Sequence, residues 1–76
     1  MKKSEPLTPA DAGRFTVLRM GECRIPAQIV RVSGDMCIFR VIDEKINLRS
    51  GQNRFDPGKL VDTFDTTEEA LEEARR

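Results

Sequence analysis

The chain has no histidine, no tryptophan and no tyrosine, and only two cysteines. Each gap removes a class of function. Without imidazole there is no His-based catalytic triad. A structural zinc within one chain would need unusual carboxylate ligation, because Cys23 and Cys37 form neither CxxC nor another zinc spacing. Without tryptophan and tyrosine, the strongest stacking platforms for nucleobases are missing. No apolar run approaches the ~18 residues of a membrane helix. The start, MKKSEPLTP, carries two lysines with no apolar stretch behind them, so no signal peptide is expected either. These absences predict a cytoplasmic protein with no membrane partner.

What is present fits a small soluble domain: 76 residues, 34% charged and 38% apolar. A chain of this size buries only roughly 60% of its unfolded surface, so its core is thin and needs efficient closure of a small sheet or a partner chain. The net charge is zero but unevenly placed. Residues 14–59 hold seven arginines and two lysines against five acids, whereas residues 60–76 hold six acids against Arg75 and Arg76. A basic body with an acidic tail can offer the body to an anionic partner, or use the tail to neutralise itself.

Residues 1–13 read as a flexible N-terminus with a short helical turn, capped by Thr8, begun by Pro9 and ended by Gly13. The folded domain is expected over 14–76. Residues 14–20 and 23–32 have strand composition and are joined by Gly21-Glu22. Pro26 lacks an N–H and belongs at an edge, a bulge or a strand beginning. Gly34-Asp35 suits a two-residue type II′ turn into a third strand, MCIFRVIDE. KINLRS reads as a fourth strand with Ile46 and Leu48 inward, GQNRFDPG as a loop whose Phe55 folds back, and LVDTF as a short fifth strand. A helix is expected over 66–75. Asp65 or Thr66 caps it, with Glu68 or Glu69 three residues on, and its narrow apolar face is Ala70, Leu71 and Ala74. The fold class is mainly β (α+β): a small, strongly curved antiparallel sheet or barrel of four to five strands with a C-terminal helix.

Within AQIVRVSGDMCIFRVID, residues 27–43, the two arginines depend on register. A two-residue loop pairs Ser33 with Met36, Val32 with Cys37, Val30 with Phe39 and Gln28 with Val41. That makes an apolar face of Val30, Val32, Cys37, Phe39 and Val41, and it places Arg31 opposite Ile38 and Arg40 opposite Ile29 on the other face. A three-residue loop instead sets Arg40 against Gln28 and mixes both faces, which so small a domain disfavours. The shared arginine face has two uses. Its stems can cover Ile29 and Ile38 while the guanidinium groups pair with Glu22 or the helix glutamates. Alternatively it holds phosphates or an acidic peptide, with Arg19, Arg24, Arg49 and Arg54 extending it.

No other constellation carries chemistry. Glu68, Glu69, Glu72 and Glu73 read as a solvated helix face, and Asp43-Glu44 and Asp62/Asp65 have no nucleophile or partner beside them. Cys23 and Cys37 are either a disulfide between flanking strands or two reduced thiols acting as small hydrophobes. No catalytic residue, metal ligand or cofactor is expected.

The run PAQIVRVSGDMCIFRVIDEKINLRSGQNRFDPGKL resembles the strand plan of SH3-like small barrels of the Tudor and KOW type. These read as strand, tight glycine turn, strand, polar turn, strand and a proline-containing segment. The likeness covers about half the chain. It implies a binding module, without the aromatic cage of a Tudor domain or the KOW glycine pattern. The expectation is therefore a non-enzymatic binding module whose arginine face contacts nucleic acid or an acidic protein surface. The alternative is a protein-interaction module, a homodimeric adaptor or inhibitor, that joins through a sheet edge or apolar face.

Overall fold

The computed structural model describes residues 1–46 and 49–76. Six strands are present among them: β1 (Lys3–Pro6), β2 (Phe15–Met20), β3 (Cys23–Ser33), β4 (Met36–Val41), β5 (Ser50–Arg54) and β6 (Leu60–Phe64). One helix follows, α1 (Thr67–Ala74), and a 3₁₀ turn spans Pro9–Asp11. All strands lie in one antiparallel sheet of order β1-β6-β2-β3-β4-β5, with β1 and β5 as its open edges. The mainly β class with a terminal helix is as expected. The strand number is six instead of four to five, and among the described residues no pairing closes the sheet into a barrel.

Two-residue turns organise the middle of the sheet. Met20 pairs with Cys23 around Gly21-Glu22, and Ser33 pairs with Met36 around Gly34-Asp35. In each the glycine supplies the only positive φ, 64° at Gly21 and 59° at Gly34, as a type II′ turn requires. These turns fix β2, β3 and β4 as a meander. β6 then returns to pair with β2, and β1 pairs outside β6.

Three sequence expectations are corrected here. The N-terminal segment read as flexible contributes β1, with Lys3–Pro6 opposite Leu60–Thr63. The loop read over residues 51–58 contains most of β5. The strand read over KINLRS is instead a turn at Glu44-Lys45 followed by a bend at Ile46, and Asn47 and Leu48 lie outside the described residues. β5 escaped recognition because its sequence, SGQNR, has no apolar residue to give it an alternation. Gly51 explains how it packs. A Cβ built there would lie 2.9 Å from the ring of Phe39, directly across the ladder. The glycine hydrogen makes room for the aromatic ring on an edge strand.

Pro26 is also a correction, with a reason. It is the fourth residue of the interior strand β3 and almost fully buried. Ile29 N–H donates to the Arg14 carbonyl at 2.8 Å, so alternation turns Ile25 and Ala27 toward β2 and Pro26 toward β4. There the β3–β4 ladder ends at Ala27–Val41, and the Pro26 carbonyl accepts the Ile42 N–H at 3.1 Å. The missing donor thus falls where the neighbouring strand stops.

The register places Thr16, Leu18, Ile25, Ala27, Ile29, Val32, Cys37 and Phe39 on one face, the inner one. Leu7 and Phe55 pack against Ile29, Val32 and Cys37 there. Burying a side chain such as Ile29, fully enclosed, contributes about 1.5–3 kcal/mol. The 3₁₀ turn lies against β3, with Thr8 N–H donating to Asp11 Oδ2 at 2.8 Å. On the other, outer face, α1 packs against β2, β3 and β6. Ala70 is fully buried, and Pro26 and Phe64 almost so. Thr66 caps the helix: its hydroxyl accepts the Glu69 N–H at 3.3 Å. Among the described residues no helix is long and apolar enough to cross a membrane.

Candidate nucleic-acid interface

The helix covers only the β6-β2-β3 part of the outer face, so the β3-β4-β5 part is left open. Its composition follows from the ladder. Ser33, Arg31 and Gln28 come from β3, Met36, Ile38 and Arg40 from β4, and Ser50, Gln52 and Arg54 from β5. No acid occurs among them. Arg31, Arg40, Arg54, Ser50 and Gln52 are all exposed.

The arginine pairing differs in part from the sequence expectation. Near the turn, Val32 opposes Cys37 and Arg31 opposes Ile38, as a two-residue loop dictates. The ladder then slips by one residue at Val30. Beyond the slip Ile29 opposes Phe39, Gln28 opposes Arg40 and Ala27 opposes Val41. Three expected pairs are therefore corrected: Val30–Phe39, Gln28–Val41 and Arg40–Ile29. The cause is a β-bulge, which inserts one residue without a partner. It lets Ile29 and Val32, three apart, both reach the core, and it ejects Val30 to 52% exposure. Because the bulge absorbs the slip, Arg31 and Arg40 stay on the same outer face, as diagonal neighbours.

Their partners are few. Arg40 Nη2 donates to Gln28 Oε1 at 2.9 Å. Among the described residues, none of Arg19, Arg24, Arg31, Arg40, Arg49 and Arg54 has a side-chain carboxylate within 4.0 Å. Glu22 and the helix glutamates do not neutralise Arg31 and Arg40. The cations that are paired lie elsewhere. Arg14 bonds Asp65 and, through Nε at 3.0 Å, the Thr63 hydroxyl. Lys3 meets Glu5 and Asp11, and Arg76 meets Glu72 and Glu73.

The six arginines form three groups. Arg31, Arg40 and Arg54 share the open outer face. Arg19 and Arg24 oppose one another at the far end of the β2–β3 ladder, where Arg24 Nη1 donates to the Arg76 carbonyl at 2.8 Å. Arg49 stands apart. Its carbonyl accepts the Val41 N–H at 2.7 Å, a position in register with the inner face. Gln28, Ser50 and Gln52 complete the open face as polar neighbours. Sequence reasoning missed them because they depend on the bulge and on β5.

The inner face opens into a groove of about 750 Å³ lined by Leu7, Leu18, Cys37, Phe55 and Val61, with Arg54, Asp35, Asp56 and Lys59 at its rim. Both cysteines are free thiols. Burial pushes the Cys37 thiol up from 9.0, so it stays protonated and unreactive at neutral pH. Phe39 and Phe64 are buried, and Phe15 and Phe55 are half-buried. Among the described residues no group of three or more Cys, Asp or Glu could hold a metal ion. No family model matches the chain, and neither the curated proteins nor the solved structures contain a match.

Proposed function

We propose that this protein is a non-enzymatic binding module that holds a polyanion, a nucleic-acid strand, against the open β3-β4-β5 face. The observation that carries the reading is the convergence of Arg31, Arg40 and Arg54 on one sheet face, none of them with a side-chain carboxylate within 4.0 Å among the described residues. Like charges grouped without counterions raise the local positive potential, and a phosphate backbone relieves it. Guanidinium groups suit phosphate because their fork of donors bonds two oxygens at once. Gln28, Ser50 and Gln52 offer neutral hydrogen bonds between them, while exposed Val30 and Ile38 give apolar footing for sugar or base edges.

With no aromatic ring among the residues of the open face, binding is electrostatic and indifferent to sequence. Arg19 and Arg24 supply a second, smaller anionic contact at the β2–β3 end. The test is the salt dependence of oligonucleotide binding by the parent and by the double substitution Arg31→Ala, Arg40→Ala.

A further inference from the structure

The two sheet edges are built differently. β1 carries Lys3 and Glu5 and ends at Pro6, features that discourage further pairing. β5 has no proline, lysine or acid, and no register shift occurs in its ladder with β4. The hydrogen-bond phase of β5 is set at both ends. Val41 N–H donates to the Arg49 carbonyl, and Phe55 N–H donates to the Asp35 carbonyl at 2.9 Å. Residues 49, 51, 53 and 55 therefore turn their backbone groups toward β4, and Ser50, Gln52 and Arg54 turn theirs outward.

From this phase we infer that β5 pairs antiparallel with β5 of a second copy, about a two-fold axis at Gln52. An antiparallel ladder needs its bonded residues two apart and directly opposite. A two-fold axis at Gln52 meets that condition. Gln52 faces Gln52 of the second copy, and Ser50 faces Arg54 in both directions, so every outward N–H and C=O of β5 gains a partner. Charge fits as well: each arginine lies opposite a serine, so no like charges meet. A centre on Gly51 or Asn53 would also pair outward groups, but it would set Arg54 or Ser50 opposite a position outside β5, so only the centre at Gln52 keeps the whole ladder within the strand. The pairing joins two sheets edge to edge and sets Arg31, Arg40 and Arg54 of both copies on one continuous surface. The association itself stands independently of the anion-binding reading; only the doubled arginine surface rests on it.

Analytical ultracentrifugation over a wide concentration range tests this, with two variants. Gln52→Pro removes the central outward N–H, and β4 does not use that donor. Gln52→Lys places two like charges face to face at the axis while altering only an exposed side chain. The parent is expected to rise from 8.6 kDa to twice that mass, and both variants to remain at 8.6 kDa with unchanged circular dichroism. In a mixed-isotope dimer, Gly51 Hα should lie close to Asn53 Hα of the other copy. A parent that stays at 8.6 kDa up to about 1 mM overturns the inference, as does a dimer that Gln52→Lys leaves intact. A monomeric parent whose β5 amides become protected only by an added extended peptide assigns the edge to a foreign strand, and that outcome overturns it too. Arg31→Ala with Arg40→Ala should leave the dimer mass unchanged, which separates this result from the fate of the polyanion reading.

Discussion

Replacing Arg31 and Arg40 together by alanine is the most direct perturbation of the open face. Both side chains are exposed, and among the described residues the only hydrogen bond at stake is Arg40 to Gln28. Folding should therefore change by no more than about 0.5 kcal/mol. Binding should change far more. If Arg31, Arg40 and Arg54 each neutralise one phosphate of a single strand, log K falls against log salt with a slope of about −2, at roughly 0.7 per phosphate. Raising salt from 50 to 200 mM then weakens the parent by roughly 20-fold. With Arg54 alone remaining, the slope drops to about −0.7 and the same salt step costs roughly threefold. Fluorescence anisotropy of a labelled single-stranded oligonucleotide, titrated at four or five salt concentrations, reads both slopes. Arg75→Ala, on the distant helix end, serves as the control and should keep the parent slope. The reasoning is refuted if the double variant keeps the parent slope, because the positive surface would then lie elsewhere.

The interior makes its own predictions. Gly51→Ala drives a methyl into the Phe39 ring, so it should lower stability by about 1–3 kcal/mol in urea unfolding, whereas Gln52→Ala next to it should be near neutral. In thiol labelling at pH 8, Cys23 should react readily, while Cys37, 4% exposed, should react only at the rate of unfolding. Since the Cys37 thiol is raised by burial, its contribution to stability is complete below pH 9.0 and declines as pH rises above that value; Cys37→Ala should abolish this alkaline decline. The Asp65 carboxyl is held below its ordinary 3.8 by hydrogen bonds from the Met1 ammonium first and Arg14 second. Its stabilisation is therefore present above 3.8 and is lost as pH falls through the lowered value. Thermal melts between pH 2 and 5 should show Asp65→Asn with a flatter acid limb than the parent.

The meander was legible because its signals are local. Gly21-Glu22 and Gly34-Asp35 announce two-residue turns, and alternation over residues 14–20 and 36–41 announces strands. The cap at Thr66 was legible for the same reason, a serine-like hydroxyl three residues before a glutamate. What stayed hidden depends on partners distant in sequence. β1 is polar and ends in proline, and only β6 makes it a strand. β5 has no apolar residue, and only the Phe39 ring explains its glycine. The bulge leaves no composition signal, because Ile29, Val30 and Val32 are interchangeable by hydropathy. So the arginines could be placed on a common face, but the residue opposite Arg40 could not be named. That no described carboxylate lies within 4.0 Å of them is a three-dimensional fact that charge counting cannot supply.

The bulge at Val30 has a consequence for mutational tolerance. In a regular strand, deleting one residue inverts every side chain beyond it and destroys the core. Here the deletion of Val30 would leave Ala27, Ile29 and Val32 inward and Gln28 and Arg31 outward, in plain alternation, with every observed pairing to β4 retained. The residue is thus an insertion that the ladder already steps around. What it supplies is added local twist in β3, between the half that lies beneath the helix and the half that carries Arg31. β3 therefore belongs to two mechanical regimes, one clamped by α1 and one free to change its surface chemistry without disturbing the other.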